Sequence, residues 1–235
     1  MSQELPLIGW YMYTPTDLNK QKAKQKSTLR WVSVNDFWLE ISAKADEPPL
    51  VTIHLGFVTF RPPMPNDGLS PNTLIFTTKS IIGEWDFIIT TNNRFEIIDF
   101  NKSLIVGKQK WENMLVSGPP QLSFESLFKD KNYGFLGGKN VECSISPEGF
   151  KMIRSQTESL LVPFESIEFI RPVRFDTRKG SCFEIRVFQA QNKPDMVFQC
   201  HDHTEMKKFL TIFLFHLSKF GEKIPNRENE NISAE

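Results

Sequence analysis

Residues Ser117-Gly-Pro-Pro120 interrupt any regular element near the middle of the chain, because proline has no amide hydrogen to donate and crowds the residue before it. The same order of patterns runs on each side of this break. Short stretches of alternating apolar and polar residues come first, and one stretch with apolar residues three and four apart closes the half. A chain of 235 residues cut there gives two pieces of ordinary domain size. The expected fold class is mainly β with two terminal helices: two seven-stranded bent β-sandwich or barrel domains, each capped by a C-terminal helix. The expected boundaries are 1–117 and 122–220, with a linker at 118–121 and a polar tail at 221–235.

In the first half, period-2 patterning predicts strands from Leu7 to Thr14, Leu29 to Asn35, Phe37 to Ala43, Leu50 to Phe60, Asn72 to Lys79 and Glu84 to Thr91. The proline and glycine clusters Asp46-Glu-Pro-Pro49 and 62–68 separate them. Asn92-Asn93 reads as a tight turn into a seventh strand, Arg94 to Phe100, since asparagine tolerates the positive φ of two-residue hairpin loops. Leu104, Lys108, Trp111 and Leu115 then predict a helix from Lys102 to Val116, despite Gly107.

In the second half the predicted strands are Asn140 to Ser146, Phe150 to Ser155, Ser159 to Phe164, Ile167 to Phe175, Cys182 to Ala190 and Asp195 to His201. Ser146-Pro-Glu-Gly149 is the turn between the first two. Asp202-His-Thr-Glu205 fits a helix cap with an acidic third residue, ahead of Met206, Leu210, Phe213 and Leu217 at helical spacing.

Composition narrows the function classes. The 28 basic and 28 acidic residues cancel, so no global field draws the chain to nucleic acid or an acidic membrane, and an electrostatic site must be local. Runs such as Leu160 to Phe164 and Phe209 to Phe215 fall far short of the roughly 20 apolar residues that a membrane-spanning helix needs. Met1-Ser-Gln-Glu-Leu-Pro6 has neither the basic start nor the apolar run of a secretion signal, and Ser2 stands where myristoylation needs glycine. A cytoplasmic location is expected, with peripheral membrane attachment or a nuclear location left open. Cys143, Cys182 and Cys200 are odd in number and set among apolar residues, as reduced core thiols would be.

Gly9-Trp-Tyr-Met12, a lysine-rich loop, Leu29-Arg-Trp-Val-Ser-Val34, and Trp111-Glu-Asn-Met-Leu115 in the closing helix resemble the start and end of a pleckstrin-homology domain. The resemblance covers roughly residues 7–116 and implies a bent seven-stranded sandwich plugged by a helix whose tryptophan enters the core. Residues 122–220 look like the same superfold, of pleckstrin-homology, phosphotyrosine-binding or lipid-associated GRAM-like type. There Phe209, Phe213 and Leu217 stand in for the tryptophan.

The strongest local charge is Lys20, Lys22, Lys24, Lys26 and Arg30, in or beside the loop between the first two strands. On an extended segment, lysines at every second position point the same way roughly 6 to 7 Å apart, able to face phosphates or an anionic surface. Each contributes on the order of 1 kcal/mol near an acidic leaflet, which gives weak, salt-sensitive attraction. In lipid-binding members of the family that the chain resembles, a second basic residue stands two positions before the arginine. Here that position is Thr28. The alternative reading is a solvated loop.

A second basic cluster comprises Arg171, Arg174, Arg178, Lys179 and Arg186; with Glu168, Asp176 and Glu184 interspersed, cross-strand ion pairs explain it more simply than a ligand. Cys200-His-Asp-His203 contains metal-ligating residue types, but alternation turns Cys200 in and His201 out and Asp202 serves as a cap, so no metal is expected. No cofactor and no catalysis are expected. No nucleophile elbow is present, and Gly134 to Gly138 leads into no helix that would hold phosphate. The expected function is a non-catalytic adaptor or scaffold that binds a protein partner, with anionic-lipid attraction through the Lys20–Arg30 loop as an addition. A phosphoinositide-sensing recruitment module and a tandem-domain histone-binding factor are the alternatives, and nucleic acid is not an expected partner. For the adaptor, Ile185 to Phe188 is the candidate peptide-accepting surface.

Overall fold

The structure is a computed structural model and describes residues 7–16, 27–83, 86–131, 138–173, 181–188 and 196–221. Fourteen strands form two antiparallel sheets of seven. The first contains β1 (Leu7–Thr16), β2 (Thr28–Asn35), β3 (Trp38–Ser42), β4 (Val51–His54), β5 (Val58–Arg61), β6 (Thr73–Thr78) and β7 (Asp86–Thr90), followed by α1 (Arg94–Ser117). The second contains β8 (Phe124–Asp130), β9 (Lys139–Ser146), β10 (Gly149–Ser155), β11 (Glu158–Val162), β12 (Ile167–Val173), β13 (Cys182–Val187) and β14 (Met196–Gln199), followed by α2 (His203–Gly221). By proximity of Cα atoms the chain divides into Met1–Asn113 with Glu168–Lys179, and Met114–Ile167 with Gly180–Glu235, while strand pairing assigns β12 to the second sheet.

The first sheet has the order β4-β3-β2-β1-β7-β6-β5. β1 serves both halves of it: Leu7 to Tyr13 pair with β2, and Met12 to Thr16 pair with β7. A strand that changes partner along its length bends the sheet, and the inner faces close on one apolar interior. Val32, Leu39, Ile41, Phe76, Phe87 and Phe100 are fully buried there.

Two expectations for this half are corrected. Arg94 to Phe100 is no strand but the start of α1. The Asn93 side-chain oxygen accepts the Glu96 amide hydrogen at 2.8 Å, and Thr91 ties its hydroxyl to the Asn93 carbonyl at 2.6 Å. Once nucleated, the helix buries Ile97, Phe100, Leu104, Gly107 and Trp111, a 3.6-residue period that two-residue alternation around Asn93 obscured. The stretch from Leu50 to Phe60 is also not one strand. One 3-10 turn, Leu55–Phe57, separates β4 from β5, with the Gly56 amide bonded to His54 Nδ1 at 3.2 Å.

That turn forms the seat of the helix. Trp111 packs on His54, Phe37 and Phe57 with ring centroids 4.3, 5.6 and 6.0 Å apart. A Cβ on Gly56 would overlap the Trp111 indole, and one on Gly107 would strike the Asp36 carbonyl, so both glycines allow close approach. α1 ends where Gly118 takes a left-handed φ of 80° and bonds its amide to the Met114 carbonyl at 2.8 Å.

The second sheet repeats the order as β11-β10-β9-β8-β14-β13-β12. The sequence pattern predicts no strand at β8. Its register with β9 runs through Phe124 to Asp130, with Phe124, Phe128 and Asp130 buried and Leu127 outward. The interior is built of phenylalanine. Phe209 lies 4.4 Å from Phe183, 5.2 Å from Phe128 and 5.7 Å from Phe150, and Phe213 lies 5.4 Å from Phe164. Phe209 and Phe213 thus seal this half as expected, with Leu217 half-buried. The expected cap is present: Asp202 accepts the Glu205 amide at 2.7 Å, and Glu205 reaches back to the His201 amide at 2.7 Å. Cys143, Cys182 and Cys200 are free and buried. Among the described residues, no helix is long and apolar enough to cross a membrane.

Candidate functional site

β1 and β2 form a hairpin whose connection carries the basic loop. Lys20, Lys22, Lys24 and Lys26 lie outside the described residues, whereas Arg30 stands in β2. Strand alternation puts Arg30 on the side of buried Val32 and Val34, with exposed Leu29 on the other side. Arg30 is opposite Tyr11, next to the pair Tyr13 and Thr28. Burial pushes the Tyr13 hydroxyl up to about 12, and the Arg30 guanidinium acts against that rise. Arg30 donates to the Leu29 carbonyl at 3.5 Å and has no carboxylate partner among the described residues. A guanidinium so placed, with a phenol on the neighbouring strand, has donors left over for an anion. Thr28 follows at the next position on this face, and the neighbouring Ser27 and Thr14 hydroxyls join at 2.7 Å.

The second basic cluster is only partly brought together. Arg171 lies in β12 with its guanidinium 4.8 Å from the Phe169 ring centroid, and Arg186 lies in the neighbouring β13. Neither is without a partner, nor is Glu184. Arg174, Arg178 and Lys179 lie outside the described residues. Cys200 is buried, His201 is exposed, Asp202 caps α2, and His203 Nδ1 is 3.1 Å from the Ser181 hydroxyl.

Ile185 to Phe188 is not an edge. β13 is flanked by β14 and β12, and the Phe188 amide is bonded to the Ser166 carbonyl at 2.8 Å, so this backbone has no free row to offer. The edges of the second sheet are β11 and β12, and those of the first are β4 and β5. Of the four, β11 alone has four successive exposed residues, Glu158 to Leu161. Leu160 and Leu161 are 44% and 51% exposed, on opposite faces. Leu160 pairs with fully buried Met152, so it sits at the rim of the phenylalanine core. The alternation marks β11 as a strand; its position at the rim follows only from the order of the sheet.

Both sheets share one course: a meander of four strands, a return that lays the seventh beside the first, and a helix closing the open end. In architecture, each sheet with its closing helix matches a pleckstrin-homology-like domain. No family model matches the chain, and no curated protein does. Among solved structures, the pleckstrin-homology domain of ArhGAP27 is similar at 18% identity and TM-score 0.37, over 45% of this chain and 100% of that one. The pleckstrin-homology domain of human oxysterol binding protein-related protein 11 aligns at 14% identity and TM-score 0.39, over 51% of this chain and 92% of that one. That of human TBC1 domain family member 2 aligns at 17% and 0.37, over 52% and 92%. Trp111, the most specific residue of the resemblance read in the sequence, is buried in the closing helix of the first pleckstrin-homology fold.

Proposed function

We propose that this chain is a non-catalytic adaptor, a tandem of pleckstrin-homology folds that holds an extended segment of a partner protein along β11. The observation that carries this reading is the edge: among the described residues β11 ends its sheet with no further strand beside it, and it has two half-exposed leucines and no lysine or proline to discourage pairing. An incoming strand would pair along it and extend the core past Leu160. Leu160→Lys/Leu161→Lys places charge on both faces of the edge at two positions that are themselves exposed. Affinity capture from the source cells with the original chain and with this variant should return partners that the variant loses. Identical partner sets would overturn the reading.

A second reading, attraction to anionic lipid, is supported by Arg30, which has no carboxylate partner among the described residues and follows four lysines in the sequence. The double substitution Lys22→Glu/Lys24→Glu should abolish sedimentation with phosphatidylserine-containing vesicles, and added salt should weaken it. Sedimentation that is indifferent to both changes would remove the reading.

A further inference from the structure

The connection from β5 to β6 carries four prolines, Pro62, Pro63, Pro65 and Pro71, and every residue from Pro62 to Pro71 is exposed except half-buried Pro63. Arg61, Pro62 and Met64 each precede a proline, which keeps them extended. Proline itself holds φ at about −65°, and Met64 has φ −89° and ψ 161°, close to the left-handed polyproline helix. That helix repeats about every three residues, so Pro62 and Pro65 stand on one ridge roughly 9 Å apart. Met64, 61% exposed, lies between them. Pro65–Asp67 then form a 3-10 turn, which Gly68 ends at a left-handed φ of 64°.

Asp67 clamps this ridge in place. Its carboxylate accepts Arg61 Nη1 at 2.7 Å and Nη2 at 3.3 Å, and the Met64 amide at 2.6 Å. A segment held extended in advance has less freedom left to lose on binding. We propose that Pro62–Pro65 is a docking ridge for a partner domain whose groove is lined with aromatic side chains, of the kind that receives left-handed proline helices. Aromatic faces accept pyrrolidine rings at the spacing of Pro62 and Pro65, and the Met64 side chain is an adaptable apolar filler beside them. A sheet edge is excluded as the occupant: three of the four residues are prolines with no N–H, and the Met64 amide is already spent on Asp67, so strand addition has no donors to use. The ridge follows β5, an edge strand of the first sheet, and is independent of β11 and of the lysine-bearing loop.

The test presents the full chain to a panel of purified Src-homology-3 and WW domains and reads binding by fluorescence anisotropy, with a synthetic proline-rich peptide as competitor. Pro62→Ala/Pro65→Ala removes both rings from exposed positions and leaves the Arg61–Asp67 pair, and its melting curve should match that of the original chain. The expected result is binding by at least one of these domains, displaced by the peptide and weakened about tenfold or more in the variant, the size expected when two apolar rings leave their pockets. Asp67→Ala keeps every proline and opens the clamp, so it should weaken the same binding by a smaller factor. No binding by any domain of the panel, or equal binding by the proline variant, overturns the proposal, and the prolines then serve only to blunt the β5 edge against pairing. Binding that falls in the proline variant and is unchanged in Asp67→Ala supports the ridge and removes the clamp from the account.

Discussion

His54 shows how a single residue in an apolar setting ties the first fold to pH. Its ring lies 4.7 Å from Trp38, 4.9 Å from Phe37 and 4.3 Å from Trp111, and Nδ1 accepts the Gly56 amide hydrogen, so the proton of the neutral ring sits on Nε2. Nε2 is buried with no hydrogen-bond partner among the described residues. Burial lowers its pKa from 6.5 to about 3. The unfolded chain therefore takes up the proton first as pH falls. The His54 contribution is whole above about pH 6.5 and is lost progressively below it, at up to about 1.4 kcal/mol per pH unit until the folded pKa is reached. Urea unfolding of the first fold between about pH 5 and 7 should show this slope, and His54→Leu should flatten it. An unchanged slope in the variant would mean that other groups carry it.

In the second fold, Asp130 is a buried charge, held by Arg154 at 3.1 Å, and Arg154 also meets Glu158 at 3.1 Å. Arg154→Met leaves that carboxylate without its guanidinium and should cost about 3 kcal/mol in denaturant unfolding. Asp130→Asn in the same background should recover part of the loss, because a neutral side chain costs less to bury than a carboxylate that has lost its guanidinium. No recovery would mean that the arginine acts through packing of its stem. The sequence held the identity of these residues but not their meeting, since Asp130 and Arg154 are brought together only by the pairing of β8, β9 and β10.

At the scale of elements, α1 depends on a close seat rather than on a broad apolar stripe. Trp111→Ala removes the largest side chain of that seat and should cost about 3 to 5 kcal/mol. Gly56→Ala, a gain of one methyl, should also destabilise, because the indole has no room to retreat. Thermal melts of the two variants check the point, and a silent Gly56→Ala would show that the helix docks more loosely than described. The tryptophan was legible as a sequence feature. The seat was not, because the single strand read from Leu50 to Phe60 hides the turn at Leu55–Phe57 that creates it. The misread start of α1 has the same origin: Phe95, Ile97 and Asp99 alternate with Glu96, Ile98 and Phe100 well enough to pass for a strand. The Asn93-x-x-Glu96 cap was the contrary signal.

At the scale of the molecule, the repeated order of strands then helix was visible on both sides of Ser117-Gly-Pro-Pro120, and the strand order confirms it twice. β8 escaped because an outward Leu127 and an inward Asp130 invert the usual rule, and it took the paired sheet to show which side was in. The four lysines of the hairpin loop were found from composition alone. The bare edge of β11 could not be, because the two-residue period tells which residues share a face but not which strands end a sheet. An adaptor that works by strand addition makes that edge decisive. Amide hydrogen exchange of the full chain, with and without a captured partner, measures it directly. The account predicts slowed exchange across Glu158–Val162 in the complex. Slowing confined to other segments, with β11 exchanging as fast as in the free chain, would contradict it.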